Sequence, residues 1–362
     1  MKIYKNLSTF FKGKRIVITG HTGFKGAWLT LILSIMGGDI LGISDKIFSN
    51  PSIFGLLKFK KVKTILTDVS NKKKMEKIIK RFQPQIIFHL AAQSIVKESY
   101  KNPYKTVLTN TNGILNILEI MRNYKKKCSV VIITSDKCYF NTEKKTGYKE
   151  DDRLGGEDLY SASKASAEIL INAYQKSFFH KKINNVKISS VRAGNVIGGG
   201  DWSKNRIIPD VVKSWAKKKS PVIRSLNSVR PWQHVLDPLI GYIQVAKRMH
   251  ENNKFLGSSY NFGPSNSNYK VSDLIKLMQT FWKNNCGIET IKDKNFKETI
   301  ILKLNTSKTK KELSWRQVLS FSKTVEFTAL WYIYFYKNKN KNLFCMTDFT
   351  KNQIMQYFKL LK

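Results

Sequence analysis

Two residues with the chemistry of a proton-transfer pair, Tyr160 and Lys164, open a predicted helix. A spacing of four residues places both side chains on one helix face. A lysine ammonium near a phenol favours the phenolate, so we expect Tyr160 to act as a base near neutral pH. Ser135 follows a predicted buried strand about 25 residues earlier. A phenol, an ammonium and a hydroxyl together are suited to taking the proton from an alcohol whose carbon gives a hydride to nicotinamide.

Asp136 and Lys137 follow Ser135 directly. An adjacent Asp and Lys at the end of a strand are often a solvated turn pair. In this position they also offer an acid and a base on one short loop, which is more than simple alcohol oxidation needs. These five residues are the predicted catalytic set.

A glycine-rich turn between Gly20 and Gly26 follows the first predicted strand and opens a helix, with the spacing GxxGxxG. Such a turn lets a pyrophosphate approach the helix N-terminus, where unpaired N–H groups favour anions. A glycine-rich helix start without a ligand is the alternative. The predicted dinucleotide contacts in the turn are Gly20, Thr22, Gly23, Phe24 and Gly26.

The ends of later strands supply further candidate cofactor contacts. Asp45 follows the second strand about 20 residues on, where a carboxylate can hold the adenosine ribose, although a surface turn is equally compatible. Asp68 and Val69 follow the third strand, and Ala91, Ala92 and Gln93 follow the fourth. With Asp45 and no neighbouring Arg, the sequence favours NAD over NADP, and Lys46 weakens this preference slightly.

Strands and helices alternate through the first half of the chain, which predicts an α/β fold with a doubly wound, Rossmann-like parallel sheet. Ligands of such sheets bind at the carboxyl ends of the strands. We predict an NAD-binding domain over residues 13–197 and a smaller, mainly substrate-binding lobe over 198–362, with an approximate boundary and interleaved lobes. The predicted buried strands are Arg15–Thr19, Ile40–Ile43, Thr64–Leu66, Ile86–Leu90 and Val130–Thr134. The predicted helices are Ala27–Met36, Lys72–Arg81, Val107–Tyr124 and Ser161–Ala173.

Composition narrows the function classes. The chain has 64 basic and 25 acidic residues, a formal charge of +39, yet the lysines are spread through every segment. We interpret this as compositional drift; a nucleic-acid-binding protein on a Rossmann scaffold is the non-enzyme alternative. A positive field still favours anionic ligands such as nucleotide diphosphates.

The sequence predicts a cytoplasmic protein without a metal site or a membrane anchor. Its four cysteines, Cys128, Cys138, Cys286 and Cys345, have neither metal-ligand spacing nor His partners. The N-terminus lacks the apolar centre of a signal peptide. The longest apolar stretch, Phe327–Tyr336, is too short to span a bilayer, and we expect it to be a packed helix.

Seven segments in order resemble the extended short-chain dehydrogenases/reductases, the NAD-dependent epimerase/dehydratase family, and within it the branch of 4,6-dehydratases that act on CDP-glucose. They are TGHTGFKGAWL, FHLAAQSIVKESY, TSDKCY, YSASK, RAGNVIGGGDW, RPWQHVLDPLIGY and YNFGP. TSDKCY combined with GNVIGGGDW and RPWQHV is the most specific part. A 4-epimerase or another 4,6-dehydratase of the family is the alternative.

The resemblance implies oxidation at carbon 4 of the sugar, loss of water across carbons 5 and 6, and reduction at carbon 6. Tyr160, supported by Lys164 and Ser135, would take the 4-hydroxyl proton. Asp136 would be the acid and Lys137 the base of the elimination. It also implies a homo-oligomer, a dimer or tetramer. The implied substrate contacts are Ser94, Asn195, Trp202, Arg230 and His234, although Trp202 could belong to the core and His234 could be structural.

The loop Asn141–Gly156 and nearby positions depart from the family pattern. Lys144 and Thr146 stand where Trp is usual, Arg153 and Leu159 where Pro is common, and Lys297 where His is expected. The loss of proline predicts a more mobile loop.

Overall fold

The computed structural model describes residues 1–47, 49–179, 185–252, 255, 257–265, 268–283, 286–291, 302–340 and 345–361. Lys297 therefore lies outside the described residues. The strands are β1 (Arg15–Thr19), β2 (Asp39–Ser44), β3 (Val62–Leu66), β4 (Ile86–His89), β5 (Cys128–Ile133), β6 (Val186–Ala193), β7 (Val196–Ile197), β8 (Val222–Ile223), β9 (Gln233–His234), β10 (Ser259–Phe262) and β11 (Glu289–Thr290).

The helices surround one large sheet. They are α1 (Lys2–Phe11), α2 (Phe24–Ile35), α3 (Ile53–Leu56), α4 (Lys72–Phe82), α5 (Val96–Lys101), α6 (Pro103–Val107), α7 (Gly113–Arg122), α8 (Leu159–Tyr174), α9 (Ile207–Ala216), α10 (Leu236–Glu251), α11 (Val271–Trp282), α12 (Ser307–Leu313), α13 (Phe321–Asn338) and α14 (Met346–Leu360). Short π-helical turns cover Leu108–Asn112 and Gln175–Phe179, and a 3-10 turn covers Asp136–Cys138.

Within the described ranges, seven parallel strands form the main sheet in the order β10-β6-β5-β4-β1-β2-β3. Both faces are covered, as the side chains of β1 show. Ile16 and Ile18 pack into the core on one face, with α2 and α10, whereas Val17 packs into the core on the other, with α4 and α7. The predicted doubly wound α/β fold is confirmed.

One predicted buried strand is wrong in its burial. Thr64–Leu66 does form the end of β3, but β3 is the edge strand and its residues are mostly exposed. Leu66 is 63% exposed. An apolar run indicates strand propensity, whereas the segments that pack over the strand decide whether its side chains are buried.

The predicted helix Val107–Tyr124 is interrupted rather than continuous. It is built from the end of α6, the π-helical turn Leu108–Asn112 and α7. The wider turn carries the buried Asn110 toward the sheet. Phe327–Tyr336 lies within α13 as predicted, and its Trp331 and Tyr332 are fully buried.

The two predicted lobes interleave. β10 comes from beyond residue 198, yet it pairs with β6 in the main sheet, and α10 packs against β5 and β6. The proposed boundary therefore separates ligand-binding segments rather than independent folding units. Cys128, Cys138 and Cys345 are free thiols. In the described part of the chain, no helix is long and apolar enough to cross a membrane.

Candidate active site

A cleft of about 2120 Å³ runs along the carboxyl ends of the main sheet, between the sheet and the segments that follow residue 198. It is larger than the ~300–1,000 Å³ of sites for single drug-sized ligands. Every candidate site residue predicted from the sequence lines this cleft except His234. Topology places these residues together, since parallel strands end at the same edge of the sheet.

The glycine-rich turn has the close packing that the sequence predicts. A Cβ on Gly20, whose φ is +72°, would lie 2.7 Å from the Ala91 nitrogen. A Cβ on Gly26 would lie 2.1 Å from the Gly20 carbonyl oxygen. Gly23 is the N-cap residue of α2 and provides no side-chain cap. The first N–H groups of the helix therefore have no side-chain acceptor at the cleft.

Hydrogen bonds tie the turn to the end of β2. The Thr22 hydroxyl donates to the Lys46 carbonyl at 2.6 Å, and the Thr22 N–H donates to the Ser44 hydroxyl at 3.3 Å. These bonds bring Asp45 to the cleft beside the glycines. A glycine cradle, an uncapped helix start and a carboxylate one strand away fit a dinucleotide with a free ribose hydroxyl.

His21 fills the space between β2 and β3, a role that sequence reasoning missed. Its ring nitrogens lie 2.9 Å from the Ser44 hydroxyl and 3.1 Å from the Thr64 hydroxyl. Burial lowers its pKa to about 4, so the ring is neutral and supports the turn. A Cβ on Gly42 would lie 2.2 Å from the ring, so the glycine of β2 makes room for the histidine.

Asn110 orders the segment after β4. Its side-chain oxygen accepts from the Gln93 N–H at 2.8 Å, and its amide donates to the Gln93 carbonyl at 3.0 Å and to the Ser163 hydroxyl at 3.0 Å. Asn110 thereby links the cofactor side of the cleft to the helix that carries Tyr160. An isolated Asn in a predicted helix gave no signal of this role in the sequence.

The predicted catalytic residues meet at the end of β5. The Ser135 hydroxyl donates to Asp136 Oδ1 at 3.0 Å and accepts from the Lys137 N–H at 3.2 Å. Tyr160, the second residue of α8, hydrogen-bonds to Ser135. Asp158 caps α8 by accepting from the Ser161 N–H at 3.0 Å, which fixes the first turn of the helix.

The pKa of Tyr160 differs from the expectation. Burial raises it to about 12 in the protein alone, and the Ser135 hydrogen bond and the charge of Arg206 oppose the rise only in part. The prediction of a lowered pKa is therefore wrong for the protein by itself. Burial also lowers the pKa of Lys164 to about 8, against the opposing effects of Glu168 and Cys138.

Asp136 is 4% exposed, and its Oδ2 has no hydrogen-bond partner among the described residues. Burial raises its pKa, against Lys137, the Ser135 hydrogen bond and Lys25. A carboxyl held in its neutral form can donate a proton. Lys137 is half-buried and lines the cleft beside it.

Two further cations, Lys25 and Arg206, line the cleft and were missed in the sequence. Arg206 pairs with Asp201 at 3.3 Å and donates to the Ser94 hydroxyl at 3.1 Å. Burial, together with the charges of Arg206 and Lys164, lowers the pKa of Lys25 to about 7, against the opposing effect of Asp136. Lys25 was visible as the one charged residue inside the glycine-rich motif, whereas nothing in the local pattern marked Arg206.

The predicted substrate contacts divide into two groups. Ser94, Asn195 and Arg230 line the cleft. Trp202 lines it as well but is 3% exposed and packs on Phe335, with ring centroids 5.0 Å apart. It therefore serves as a wall of the cleft and as part of the core.

His234 is a correction to the predicted substrate contacts. It is fully buried, and its ring lies edge-on to Trp28 at 6.0 Å and to Phe327 at 5.6 Å. Burial lowers its pKa to about 3. The neutral imidazole accepts from the Leu236 N–H at 3.3 Å, close to the start of α10, and so holds the helix rather than a ligand.

The loop 141–156 is held by contacts from the residues that depart from the family pattern. Lys144 pairs with Asp152 at 2.7 Å, and the Arg153 guanidinium lies 4.4 Å from the Phe140 ring centre. Leu159 occupies the first position of α8, and Thr146 is exposed. The predicted mobility of the loop remains a prediction.

Comparison with known proteins gives a consistent family. A family profile described as GDP-mannose 4,6 dehydratase matches residues 17–328. The CDP-glucose 4,6-dehydratase of Salmonella typhimurium is 39% identical over 328 residues, which cover 89% of this chain and 91% of that protein. The UDP-glucose 4-epimerase of Mycoplasma genitalium is 23% identical, over 83% of this chain and 91% of that protein.

Solved structures share the fold. An epimerase from Methanothermobacter thermautotrophicus aligns with a TM-score of 0.82 and 20% identity, covering 94% of this chain and 98% of that one. The dTDP-glucose 4,6-dehydratase of Bacillus anthracis in complex with NAD aligns with a TM-score of 0.75 and 21% identity, covering 91% and 98%.

Proposed function

The chain belongs to the NAD-dependent epimerase/dehydratase family, and we propose that it converts CDP-glucose to CDP-4-keto-6-deoxyglucose with loss of water. The family resemblance carried by its motifs is confirmed by the family profile and by the relative at 39% identity. That relative is a CDP-glucose 4,6-dehydratase, and the match covers most of both chains.

The observation that carries the proposal is the pair Asp136 and Lys137 beside Tyr160. Oxidation and epimerisation at carbon 4 need the Tyr160, Lys164 and Ser135 set alone. A second acid and base have a use only if a further bond is broken, and Asp136 has the raised pKa of a proton donor. This difference favours the dehydratase over a 4-epimerase.

The chemistry starts at Tyr160. Its phenolate accepts the proton of the sugar 4-hydroxyl, while Ser135 orients both oxygens by hydrogen bonds. Lys164, four residues along α8, stabilises the phenolate, and the Arg206 charge acts in the same direction. When bound, NAD supplies the two-electron oxidation at carbon 4 and the later reduction at carbon 6, and its positive ring further favours the phenolate.

The 4-ketone acidifies the proton on carbon 5, and Lys137 removes it. Asp136 gives its proton to the 6-hydroxyl, so the carbon–oxygen bond breaks and water leaves. Burial raises the pKa of the Asp136 carboxyl, which favours the protonated form that can give this proton. To complete the turnover, Lys137 gives its proton back to carbon 5 as carbon 6 is reduced. Tyr160 releases the proton taken from the 4-hydroxyl to solvent, and Asp136 regains a proton from solvent.

NAD fits the residues present. Gly20 and Gly26 leave room for a pyrophosphate, and the start of α2 offers N–H groups to it. Asp45 would accept hydrogen bonds from the ribose hydroxyls of NAD. Its negative charge would repel the 2′-phosphate of NADP. Thr22, Gly23, Phe24, Asp68, Val69, Ala91, Ala92 and Gln93 complete the cofactor side of the cleft.

The substrate side is proposed to come mainly from residues beyond 198. Arg230 lines the cleft there, and a planar guanidinium pairs well with two diphosphate oxygens. Ser94, Asn195 and Trp202 would contact the sugar end. We further propose that the enzyme works as a homo-oligomer, as the family resemblance implies, and that it works in the cytoplasm, in line with the thiols of Cys128, Cys138 and Cys345.

The test is to incubate the protein and NAD separately with CDP-glucose, dTDP-glucose, UDP-glucose and GDP-mannose. Mass spectrometry and alkali-induced ultraviolet absorbance report 4-keto-6-deoxy products. We expect loss of one water from CDP-glucose. Turnover of another nucleotide would keep the mechanism and change the substrate. Inversion at carbon 4 without water loss would instead support a 4-epimerase.

The matched control is the Asp136→Asn, Lys137→Ala double variant, which keeps the oxidation residues. It should lose dehydration while still binding NAD. If the intact protein turned over none of the four sugars and bound oligonucleotides in a salt-dependent manner, the non-enzyme alternative would replace the proposal.

A further inference from the structure

Directly behind the catalytic turn lies a buried ion pair between Glu168 of α8 and Arg192 of β6. The Arg192 Nη2 and Glu168 Oε2 atoms are 2.7 Å apart, and the two side chains are 3% and 1% exposed. A buried pair of this kind contributes little net stability compared with a well-packed apolar pair. Its position beside the catalytic residues therefore calls for another explanation.

Glu168 holds the end of β5. The Thr134 hydroxyl donates to Glu168 Oε1, and the Ser190 hydroxyl donates to Oε2 at 2.7 Å. Thr134 directly precedes Ser135. The carboxylate thus anchors the backbone immediately before the catalytic turn.

Arg192 holds the other end of the same turn. Its Nη1 donates to the Tyr139 hydroxyl at 2.6 Å and to the Glu150 carbonyl at 2.9 Å, and its guanidinium lies 4.9 Å from the Tyr139 ring centre. The Tyr139 hydroxyl donates in turn to Asn261 of β10 at 2.8 Å. Asp136 and Lys137 therefore lie on a segment fixed at Thr134 and at Tyr139 by the two halves of one ion pair.

Glu168 also faces Lys164, since the two residues are one turn apart on α8. The other titratable groups acting with Lys164 come from three elements: Lys25 at the start of α2, His89 at the end of β4 and Cys138 in the catalytic turn. Lys25 is a cation and burial keeps His89 neutral. Glu168 is the carboxylate that opposes the burial of the Lys164 ammonium.

We propose that Glu168 and Arg192 are positioning residues for the dehydration: together they fix Asp136 and Lys137 relative to Tyr160, and Glu168 supplies the counter-charge of Lys164. This inference rests on the proposed function for its kinetic consequences. Its electrostatic part concerns Lys164 alone and holds for any reaction at this site.

The first experiment compares Glu168→Gln with the intact protein. We expect kcat for CDP-glucose to fall by about 10²-fold, because misplacement of reacting groups by about 1 Å has effects of that size. KM and NAD affinity should change by less than about 3-fold, since Glu168 is not among the residues that line the cleft. The alkaline limb of the kcat–pH profile should move down by about 1 pH unit, because Lys164 loses its counter-charge.

Glu168→Gln leaves the buried Arg192 without its counter-charge. The single variant is therefore compared with the double variant Glu168→Gln, Arg192→Met. The double variant removes both charges, which proteins often tolerate. It should fold, lose kcat to a similar extent and show the same shift of the alkaline limb. Glu168→Asp keeps the charge, and it should restore the limb while recovering kcat only in part.

A matched control comes from Glu119, which pairs with Arg122 at 3.0 Å on the outside of α7. Glu119→Gln removes a Glu–Arg pair far from the catalytic turn and should leave the pH profile unchanged. The proposal is overturned if folded Glu168→Gln and double variants keep the intact kcat and alkaline limb. It is also overturned if kcat falls only in proportion to the folded fraction.

A readout independent of substrate separates this inference from the proposed function. Labelling of the Lys164 amine with acetic anhydride at increasing pH, read by peptide mass spectrometry, reports its ionisation directly. We expect the labelling midpoint to fall in Glu168→Gln and to return in Glu168→Asp. An unchanged midpoint would overturn the counter-charge role. If the intact protein is inactive on CDP-glucose but the labelling midpoint still falls in Glu168→Gln, the proposed substrate is rejected and the counter-charge role of Glu168 is retained.

Discussion

The end of β5 and the aromatic layer around α13 are both buried, but they bury different kinds of atoms. Around the end of β5, several buried side chains carry charges or titratable groups, among them Asp136, Lys164 and Glu168. Around α13 they are aromatic: Trp331 is fully buried and lies 5.5 Å from the ring centre of Trp202. Burial of ionisable groups costs free energy, whereas burial of aromatic rings supplies it.

The difference separates function from stability. Burial in the polar region shifts the pKa values of groups at the cleft, and the aromatic region holds the C-terminal segments on the sheet. The two regions meet at Asp201: its backbone carbonyl accepts from the Tyr332 hydroxyl, and its carboxylate pairs with Arg206. Substitutions in the polar region should therefore change rates at nearly constant stability, and those in the aromatic region should do the reverse.

The largest effect is expected for Tyr160→Phe. Turnover should fall by about 10³-fold or more, because the phenolate that accepts the 4-hydroxyl proton is lost. NAD affinity and melting temperature should remain close to those of the intact protein, measured by fluorescence titration and calorimetry. Tyr104→Phe is the control, since Tyr104 is 79% exposed and should show no change. Near-normal turnover in Tyr160→Phe would remove Tyr160 from the mechanism.

Lys137→Ala should block water loss while oxidation at carbon 4 continues. We expect dehydration to fall by about 10²-fold and reduced nicotinamide to accumulate transiently, observed by its near-ultraviolet absorbance in stopped flow. Lys145→Ala, at an exposed position of the neighbouring loop, is the control. Unchanged dehydration would show that another group is the base.

Trp331→Ala should act on stability instead. Trp331 packs over Gly199 and its indole N–H donates to Thr350 at 2.9 Å, so truncation leaves a large cavity and removes a buried hydrogen bond. We expect the free energy of unfolding to fall by about 3–5 kcal/mol in denaturant titrations. Leu330→Ala, at a 41% exposed neighbour, should change it by less than about 1 kcal/mol. A large loss of kcat per folded molecule would contradict the separation of the two regions.

The smallest effect concerns Asp237, a carboxyl buried within the apolar region. Burial raises its pKa from 3.8 to about 7, although the Val318 N–H and the Tyr357 hydroxyl bond to it. The neutral form of the carboxyl is favoured in the folded state. Its contribution to the free energy of unfolding is therefore present below pH 4 and is lost as the pH rises toward 7.

Asp237→Asn should therefore remove the loss of unfolding free energy with rising pH between those limits, measured by denaturant titrations at several pH values. Asp348→Asn, at an exposed position on α14, is the control and should leave the pH dependence intact. A steeper loss of stability with rising pH in Asp237→Asn would contradict the assignment.

Local patterns in the sequence determined much of this protein. β1 has its predicted bounds, because a β-branched run ending at a glycine encodes both its conformation and its end. The glycine turn and the Tyr160–Lys164 spacing were equally readable, since each depends on residues within one turn or strand. Asp136 and Lys137 were found because they directly follow a buried strand.

Only the tertiary structure decided the features that depend on distant partners. β3 is mostly exposed whereas β10, the other edge strand, is buried, and β10 joins the sheet from beyond residue 198. His234 is in the core because Trp28 and Phe327, far away in sequence, close around it. Glu168 and Arg192 meet across two elements. Periodicity and spacing describe neighbours along the chain, whereas burial, pairing and pKa depend on which segments fold against one another.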